Sequence, residues 1–210
     1  MDEGSPEKEK LAIKSGSPQS PRCLKPLDYT FMCLTSFSDC LEEEPRGSKP
    51  LKSKEPIIED DGEQVRKRKT NALRLSNNVL TEWGGFLDTV EKIVENPADL
   101  EWIDVSFNDL TTIDSCLLSF PKLKVLYLHG NGIEKINEVD KLTGLEHLRT
   151  LTLHGNPVED SRKGGYRQYV LSRLPLLKTF DFSGVTQSDR ASAHTWSQMV
   201  KGKRKKKVEN

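Results

Sequence analysis

The residues best suited to chemistry are two histidines that recur in the same short motif. Leu-His-Gly-Asn occurs at residues 128–131 and again at 153–156, so His129 and His154 hold equivalent places in the two copies. If the copies lie on neighbouring strands, the imidazoles stand about 5 Å apart, which is the spacing of hydrogen-bonded strands. Such a pair could share a metal ion, or it could respond to pH because two imidazolium charges would repel each other.

The residues around this pair support neither a metal site nor catalysis. Zinc sites normally use three or four ligands, and no third ligand falls in register with the histidines. The carboxylates of Asp104 and Asp181 share a register position but stand three strands apart, about 14 Å, which is too far for an acid–base pair. Glycine-rich phosphate loops are absent from the sequence. We therefore predict a protein that is not an enzyme and that uses no metal or cofactor.

The composition indicates one modest domain with polar flanks. The chain has 210 residues, 32 Lys and Arg against 32 Asp and Glu, and only 34% hydrophobic residues. No apolar run approaches the roughly 18 residues of a membrane span, and the first thirty residues lack the apolar core of a signal peptide. The four cysteines lack metal-ligand or disulfide spacing, so we expect free thiols in the cytoplasm, with the nucleus as alternative. They are Cys23, Cys33, Cys40 and Cys116.

A repeated pattern positions the two histidines. Each copy has apolar residues at positions 4, 6 and 11 and asparagine at position 9, and the copies lie near 70–80, 100–110, 123–133 and 148–158. Positions 4 and 6 lie on one face of a short strand, because side chains alternate across a strand. The asparagine amide can satisfy buried backbone groups where the chain turns. The asparagines are Asn78, Asn108, Asn131 and Asn156, and their spacing is typical of leucine-rich repeats.

The rest of the chain divides around these repeats. We predict a mostly disordered arm over 1–65, in which 27–34 is a short strand or a docking segment, and a basic tail over 201–210. The folded domain then spans 66–200. A helix carries Phe86, Val90 and Ile93, and the later return arms are 3₁₀-like. The predicted cap at 163–199 contains a helix at 166–174, a strand at 177–182 with Phe180 and Phe182 pointing inward, and a last helix at 188–199.

The fold class that follows is α/β, a right-handed leucine-rich repeat solenoid shaped as a short horseshoe, with a C-terminal cap and disordered termini. The cap sequence at 165–181, with Val185 and Thr186, resembles the class of short capped leucine-rich repeat proteins. That class includes a regulatory subunit of protein phosphatase 1, the U2 ribonucleoprotein A-prime subunit and the axonemal dynein leucine-rich light chain. Within the class, the segments at 102–114, 126–131, 151–157, 165–171 and 180–186 resemble one family of small proteins over residues 26–200. The resemblance implies a small cytoplasmic protein with no known catalytic activity.

The repeat register also predicts a binding surface. Positions 3, 5 and 7 point outward on the concave face, where Trp102, Val125 and Tyr127 form an exposed patch beside Asp104. Tryptophan and tyrosine are enriched in binding hot spots. The candidate partner-binding residues are Arg74, Trp102, Asp104, Val125, Tyr127, His129, Thr152, His154 and Asp181.

The sequence thus favours a non-catalytic scaffold that binds a protein partner on the concave face. The resemblance implies an axonemal or other large assembly as its setting, and we expect a monomer outside that assembly, with no membrane contact. The alternatives are a ribonucleoprotein component and a phosphatase-regulatory subunit. The basic run at 201–207 is a solvated end, a nuclear-import or RNA-contacting patch, or a dock for an acidic surface.

Overall fold

Seven short strands form one sheet in which each strand pairs with the next along the chain. The computed structural model describes residues 24–47, 67–161 and 164–208. The first six strands are parallel, and the seventh pairs antiparallel with the sixth. In order they are β1 (Leu27–Asp28), β2 (Ala72–Arg74), β3 (Trp102–Asp104), β4 (Val125–Tyr127), β5 (Thr150–Thr152), β6 (Thr179–Phe180) and β7 (Ser183–Gly184).

The register of the sheet confirms the predicted repeats. The position 4 residues pair across β2 to β6 as one column, which consists of Leu73, Ile103, Leu126, Leu151 and Phe180. All of these side chains are buried. Because each repeat alone would leave this face open, stacking the repeats creates the hydrophobic core.

The asparagines form the predicted ladder between repeats. The Asn108 Oδ1 atom accepts a hydrogen bond from the Leu80 amide (3.1 Å), while its Nδ2 donates to the carbonyls of Leu75 (3.0 Å) and Val105 (3.1 Å). The other three asparagines repeat this arrangement. Each amide therefore joins two adjacent repeats and satisfies backbone groups that would be costly to leave buried and unpaired.

The N-terminal segment is more ordered than predicted. The prediction of a mostly disordered arm over 1–65 is wrong for residues 24–47, while 1–23 and 48–65 lie outside the described residues. Leu27 pairs with Leu73, so Leu27, Tyr29 and Leu34 occupy positions 4, 6 and 11 of an additional repeat. The predicted short strand within 27–34 is present as β1.

This segment also contributes to the core beyond its strand. A 3₁₀ helix at Phe37–Leu41 buries Phe37 and Cys40. The Phe37 ring lies 4.7 Å from that of Phe86, at the start of the first α-helix. Residues 24–47 therefore cover the first repeat and act as an N-terminal cap.

The return arms follow the predicted pattern with one addition. Helix α1 (Phe86–Ile93) buries Phe86, Val90 and Ile93 in the hydrophobic core. The same arm ends in a 3₁₀ turn at Pro97–Asp99, and the later arms are 3₁₀ helices at Ser115–Ser119 and Ile136–Leu142. A five-residue helix, α2 (Pro157–Ser161), follows the last repeat and was not predicted.

The C-terminal cap consists of α3 (Tyr166–Arg173) and α4 (Gln187–Val208), which pack together. The Tyr169 and Trp196 rings lie 5.6 Å apart between the two helices. Helix α4 continues well past Met199, where the prediction ended it, and so includes most of the segment predicted as a separate basic tail. Among the residues that the structure describes, no helix is both long and apolar enough to cross a membrane.

The last strand of the cap departs from the prediction. The strand predicted over 177–182 ends at Phe180, and the inward orientation predicted for Phe182 is wrong. Asp181 (φ 46°) and Phe182 (φ 58°) adopt left-handed conformations and form a two-residue turn into β7. This is the geometry that tight hairpins prefer, because its twist matches that of the flanking strands. The turn leaves the Phe182 side chain exposed.

Candidate functional site

Aromatic rings form a continuous cluster on the concave face. The Trp102 ring on β3 lies 6.0 Å from that of Tyr127 on β4, which lies 5.9 Å from the imidazole of His129. His129 in turn stacks on His154, with centroids 4.8 Å apart and planes 10° apart. The predicted adjacency of the two histidines is therefore confirmed. The aromatic cluster is the name used below for six residues, which are Trp102, Phe107, Tyr127, His129, His154 and Phe182.

Phe182 covers one end of the cluster. The turn between β6 and β7 brings its ring back over the concave face, 5.9 Å from Tyr127, 5.4 Å from His129 and 5.2 Å from His154. The side chain is 61% exposed although it contacts three other rings. The sequence assigned it to the core because Phe180 and Phe182 fit the alternation of positions 4 and 6.

Phe107, which the repeat pattern does not predict as a site residue, lies on the other side of the histidine pair. Its ring centroid is 5.0 Å from that of His129, and 53% of the residue is exposed. Phe107 occupies position 8, where Asn77, Gly130 and Gly155 stand in neighbouring repeats and all four have positive φ. A left-handed conformation is unusual for a bulky residue and is a signal of function or strain.

The two histidines have different surroundings. The His129 Nδ1 atom shares a hydrogen bond with the Thr152 hydroxyl (2.8 Å), and the residue is only 9% exposed. Burial, followed by the charge of His154, lowers the pKa of His129, while the carboxylates of Asp104 and Asp181 act in the opposite direction. His154 is half-buried, and its Nδ1 lies 3.7 Å from Asp181 Oδ1.

Three of the predicted contact residues are buried, although the repeat register predicted that they would be exposed to a partner. They are Asp104, His129 and Thr152. The Asp104 Oδ1 atom accepts hydrogen bonds from the backbone amide (3.0 Å) and hydroxyl (2.6 Å) of Ser106, which holds the turn after β3. The polar groups of these residues therefore support the turn and His129 rather than reach outward.

Asp181 supports the cluster from the hairpin turn. Its Oδ1 atom accepts hydrogen bonds from the amides of Leu153 (2.6 Å) and His154 (3.0 Å), and its Oδ2 accepts one from the Tyr166 hydroxyl (3.0 Å). These bonds attach the turn that carries Phe182 to the end of β5. The charge of the carboxylate stays next to the histidine pair.

Arg74 extends the surface beyond the rings. Its Nη1 donates to Asp28 Oδ2 (3.0 Å), and its guanidinium carbon lies 5.9 Å from the centroid of the Trp102 ring, within cation–π range. Trp102, Val125 and Tyr127 are half-buried, so this predicted patch is partly accessible. Within the described residues, three side-chain nitrogens are buried without a hydrogen-bond partner, and all belong to this surface. They are Arg74 Nε, Trp102 Nε1 and His154 Nδ1.

The described part of the chain holds no group of three His, Cys, Asp or Glu residues arranged to bind a metal ion. The carboxylates of Asp104 and Asp181 accept hydrogen bonds from backbone amides and hydroxyls, His129 is bonded to the Thr152 hydroxyl, and the two imidazoles stack on each other. The arrangement is thus an apolar and aromatic surface with two supporting carboxylates.

Curated relatives match most of the chain. Leucine-rich repeat-containing protein 51 of Bos taurus is 49% identical over 175 residues, which cover 83% of this chain and 85% of the relative. The Homo sapiens protein of the same name is 48% identical over the same shares of the two chains. These relatives are the family that the motif segments resemble. The probable U2 small nuclear ribonucleoprotein A′ of Drosophila melanogaster is 28% identical over 143 residues, which cover 57% of this chain and 53% of that protein.

A solved structure agrees with the fold, and a family model identifies the family. The Drosophila melanogaster SNF/U2A′ complex contains a chain that superposes with a TM-score of 0.52 and 24% identity, covering 73% of this chain and 92% of that one, which supports the fold. The leucine-rich repeat family model matches residues 53–210. On its strands, its asparagine ladder and these matches, the chain belongs to the leucine-rich repeat family.

Proposed function

We propose that this chain is a non-catalytic interaction module that binds a protein partner through the aromatic cluster. The observation that carries the proposal is the exposure of Phe107 and Phe182 over a concave face that already holds Trp102 and Tyr127. Large aromatic side chains are enriched at binding hot spots because they bury much area at a low cost in conformational entropy. Clustered exposed rings are also uncommon on surfaces without a partner.

The unpartnered nitrogens support the same proposal. Buried polar groups in native proteins are almost always hydrogen-bonded, so an exception needs an explanation. Arg74 Nε and Trp102 Nε1 are donors only. A partner that displaces these side chains slightly can supply the missing acceptors from its backbone carbonyls.

The chemistry of the site favours binding over catalysis. Asp104 and Asp181 each accept hydrogen bonds from neighbouring backbone amides, and His129 is paired with Thr152. Leucine-rich repeat domains generally serve as protein-binding modules. We infer that the carboxylates and the histidine pair maintain the surface and set its charge.

The proposal is tested by affinity purification of the tagged full-length protein beside Trp102→Ala/Tyr127→Ala. The matched control is Leu118→Ala/Leu176→Ala, which removes two apolar side chains that are exposed outside the cluster. Circular dichroism establishes that each variant folds. We expect one set of partners to be lost from the aromatic double variant and kept by the control. Equal recovery from both variants would contradict the proposal.

A ribonucleoprotein component is the second candidate. The 28% identity to the U2 ribonucleoprotein A′ relative and the basic run at 201–207 favour it. Nuclease treatment, or deletion of residues 201–210, would then disperse the complexes, and their formation would depend steeply on salt because binding releases counterions. Complexes that survive nuclease support the protein-binding module.

The proposed setting is the cytoplasm, within an axonemal or other large assembly, and we expect the chain to be a monomer outside that assembly. Its support is the resemblance of the repeats and cap to the axonemal dynein leucine-rich light chain. A phosphatase-regulatory role ranks last, because so few repeats offer little surface. Fluorescence microscopy of the tagged protein in ciliated cells tests the setting, and a purely nuclear signal would exclude it.

A further inference from the structure

The charges that surround the aromatic cluster are mainly negative. Asp104 at the end of β3 pairs in register with Tyr127 of the cluster, and Asp181 Oδ1 in the hairpin turn lies 3.7 Å from His154 Nδ1. On the other side, the charge of Arg74 is offset by its ion pair with Asp28. Three charged or titratable groups face the histidine pair, namely Asp104 from β3, Tyr127 from β4 and Asp181 from the turn. A fourth, Tyr166 from α3, donates a hydrogen bond to Asp181. Two cations also lie close to these carboxylates, since Arg74 stands beside Asp104 in the sheet register and Arg167 interacts with Asp181, but Arg74 is paired with Asp28 and Arg167 with Asp189. The net charge around the cluster is therefore negative while its imidazoles are neutral.

The aromatic faces of this protein already accept cations. The Arg74 guanidinium lies over Trp102 at 5.9 Å, and that of Arg167 lies over Phe180 at 5.8 Å. Phe107 and Phe182 are more than half exposed, so their rings are accessible to a cation from outside. Rings beside carboxylates attract a positive side chain through both the ring quadrupole and the full negative charge.

We propose that the aromatic cluster receives an arginine or lysine side chain from a basic segment of the protein partner. This inference rests on the proposed function and specifies the chemistry of the partner. The cation lies against the Phe107, Tyr127 and Phe182 rings, near the charges of Asp104 and Asp181. An acidic segment would be repelled by the same two carboxylates.

The histidine pair makes this site sensitive to pH. The two rings are stacked 4.8 Å apart, so a proton on one imidazole opposes a proton on the other. That proton places a positive charge at the site of the incoming cation. We therefore expect a basic segment to bind best when both histidines are neutral and to bind less well as the pH falls.

Two labelled peptides test the charge preference directly. Both are ten residues long in a Gly-Ser frame, one with four arginines and the other with four glutamates. Their binding to the full-length protein is measured by fluorescence anisotropy in about 0.15 M salt, where distant surface charges are screened beyond about 8 Å. We expect the arginine peptide to bind, the glutamate peptide not to bind, and Phe182→Ala to weaken the arginine peptide.

The decisive variant is Asp104→Asn/Asp181→Asn. Each asparagine retains the side-chain oxygen that accepts the backbone hydrogen bonds, but it removes the negative charge. We expect the arginine peptide to bind about fivefold more weakly to this variant than to the native protein. For the native protein alone, we expect binding to be about threefold weaker at about pH 5.5 than at about pH 7.5. Glu42→Gln/Glu43→Gln is the matched control, since it removes the same charge from exposed side chains after the first 3₁₀ helix.

The outcomes separate this inference from the proposed function. Equal binding of the two peptides, or equal weakening by the Asn and Gln pairs, overturns the cation site. If partner capture still depends on Trp102 and Tyr127 in that case, the aromatic cluster remains a protein-binding surface of another chemistry. If capture does not depend on them, both proposals fail. Folded fractions measured by circular dichroism exclude unfolding as the cause of lost binding.

Discussion

The Phe107 ring lies directly on Gly130 of the next repeat. A Cβ atom added at Gly130 would stand 2.6 Å from Phe107 Cδ1, closer than real Cβ contacts allow. Gly130 also has a positive φ of 66°, a conformation that costs energy for any other residue. Two features therefore favour glycine in the first Leu-His-Gly-Asn copy, while Gly155 in the second copy has a similar φ but no ring above it.

This difference predicts unequal effects of the same substitution. We expect Gly130→Ala to lower the free energy of unfolding by about 2–4 kcal/mol, and Gly155→Ala by about 1–2 kcal/mol, because only the first adds the clash with Phe107 to the backbone strain. Urea denaturation of both variants measures the difference. In the double variant Phe107→Ala/Gly130→Ala the additional cost disappears, and equal losses at both glycines would contradict the contact.

The asparagine ladder predicts a large cost for its central members. Replacing Asn108 by alanine leaves the Leu80 amide and the carbonyls of Leu75 and Val105 without their partner in the core. We expect a loss of about 2–4 kcal/mol in the free energy of unfolding, since each buried group left unsatisfied costs about 1–3 kcal/mol. Asn137→Ala, at an exposed position of a return arm, serves as the control and should change stability by less than about 0.5 kcal/mol. A similar small change at Asn108 would mean that water replaces the amide.

The sequence predicts those parts of the fold in which a given repeat position has the same surroundings in every repeat. Strands β2 to β5 follow from the leucines at positions 4 and 6, and the ladder follows from asparagine at position 9. The N-terminal repeat was missed beyond its strand because Met32 stands at position 9, although Tyr29 and Leu34 occupy the expected apolar places. A repeat without its asparagine resembles any short apolar segment in a polar region.

The candidate site was predicted only in part for a different reason. The register located Trp102, Tyr127 and the histidine pair, because these lie on the strands. Phe107 and Phe182 lie in left-handed turns, and no Asn-Gly or similar dipeptide indicates the turn at Asp181 and Phe182. Their positions depend on contacts with rings from other repeats, which a linear pattern does not contain.

The N-terminal cap predicts that residues well before the repeats affect global stability. Phe37 is buried against Phe86 and Trp83, so Phe37→Ala creates a cavity in the core. We expect it to lower the free energy of unfolding by about 3–4 kcal/mol. Phe31→Ala is the matched control, since Phe31 lies in the same segment but is mostly exposed. Equal, small effects in chemical denaturation would show that the segment is detached from the repeats.

The surroundings of His129 predict opposite effects of two neighbours on its titration. His154 lowers the pKa of His129 and Asp181 raises it, while burial provides the largest lowering effect. In NMR titrations we therefore expect His129 to titrate below the ordinary value of about 6.5, to move upward in His154→Ala, and to move downward in Asp181→Asn. Shifts of the same sign in the two variants would contradict the stacked arrangement.

The lowered pKa also links His129 to stability. In the unfolded chain its imidazole takes up a proton at about pH 6.5, whereas in the folded protein it does so only at lower pH. Between these values the unfolded state binds more protons, so folding becomes less favourable as the pH falls. Denaturation midpoints should therefore decrease from about pH 7 to about pH 5, and this decrease should be larger in Asp181→Asn, where the pKa of His129 is lower still. A smaller decrease in that variant would show that another group dominates the pH dependence.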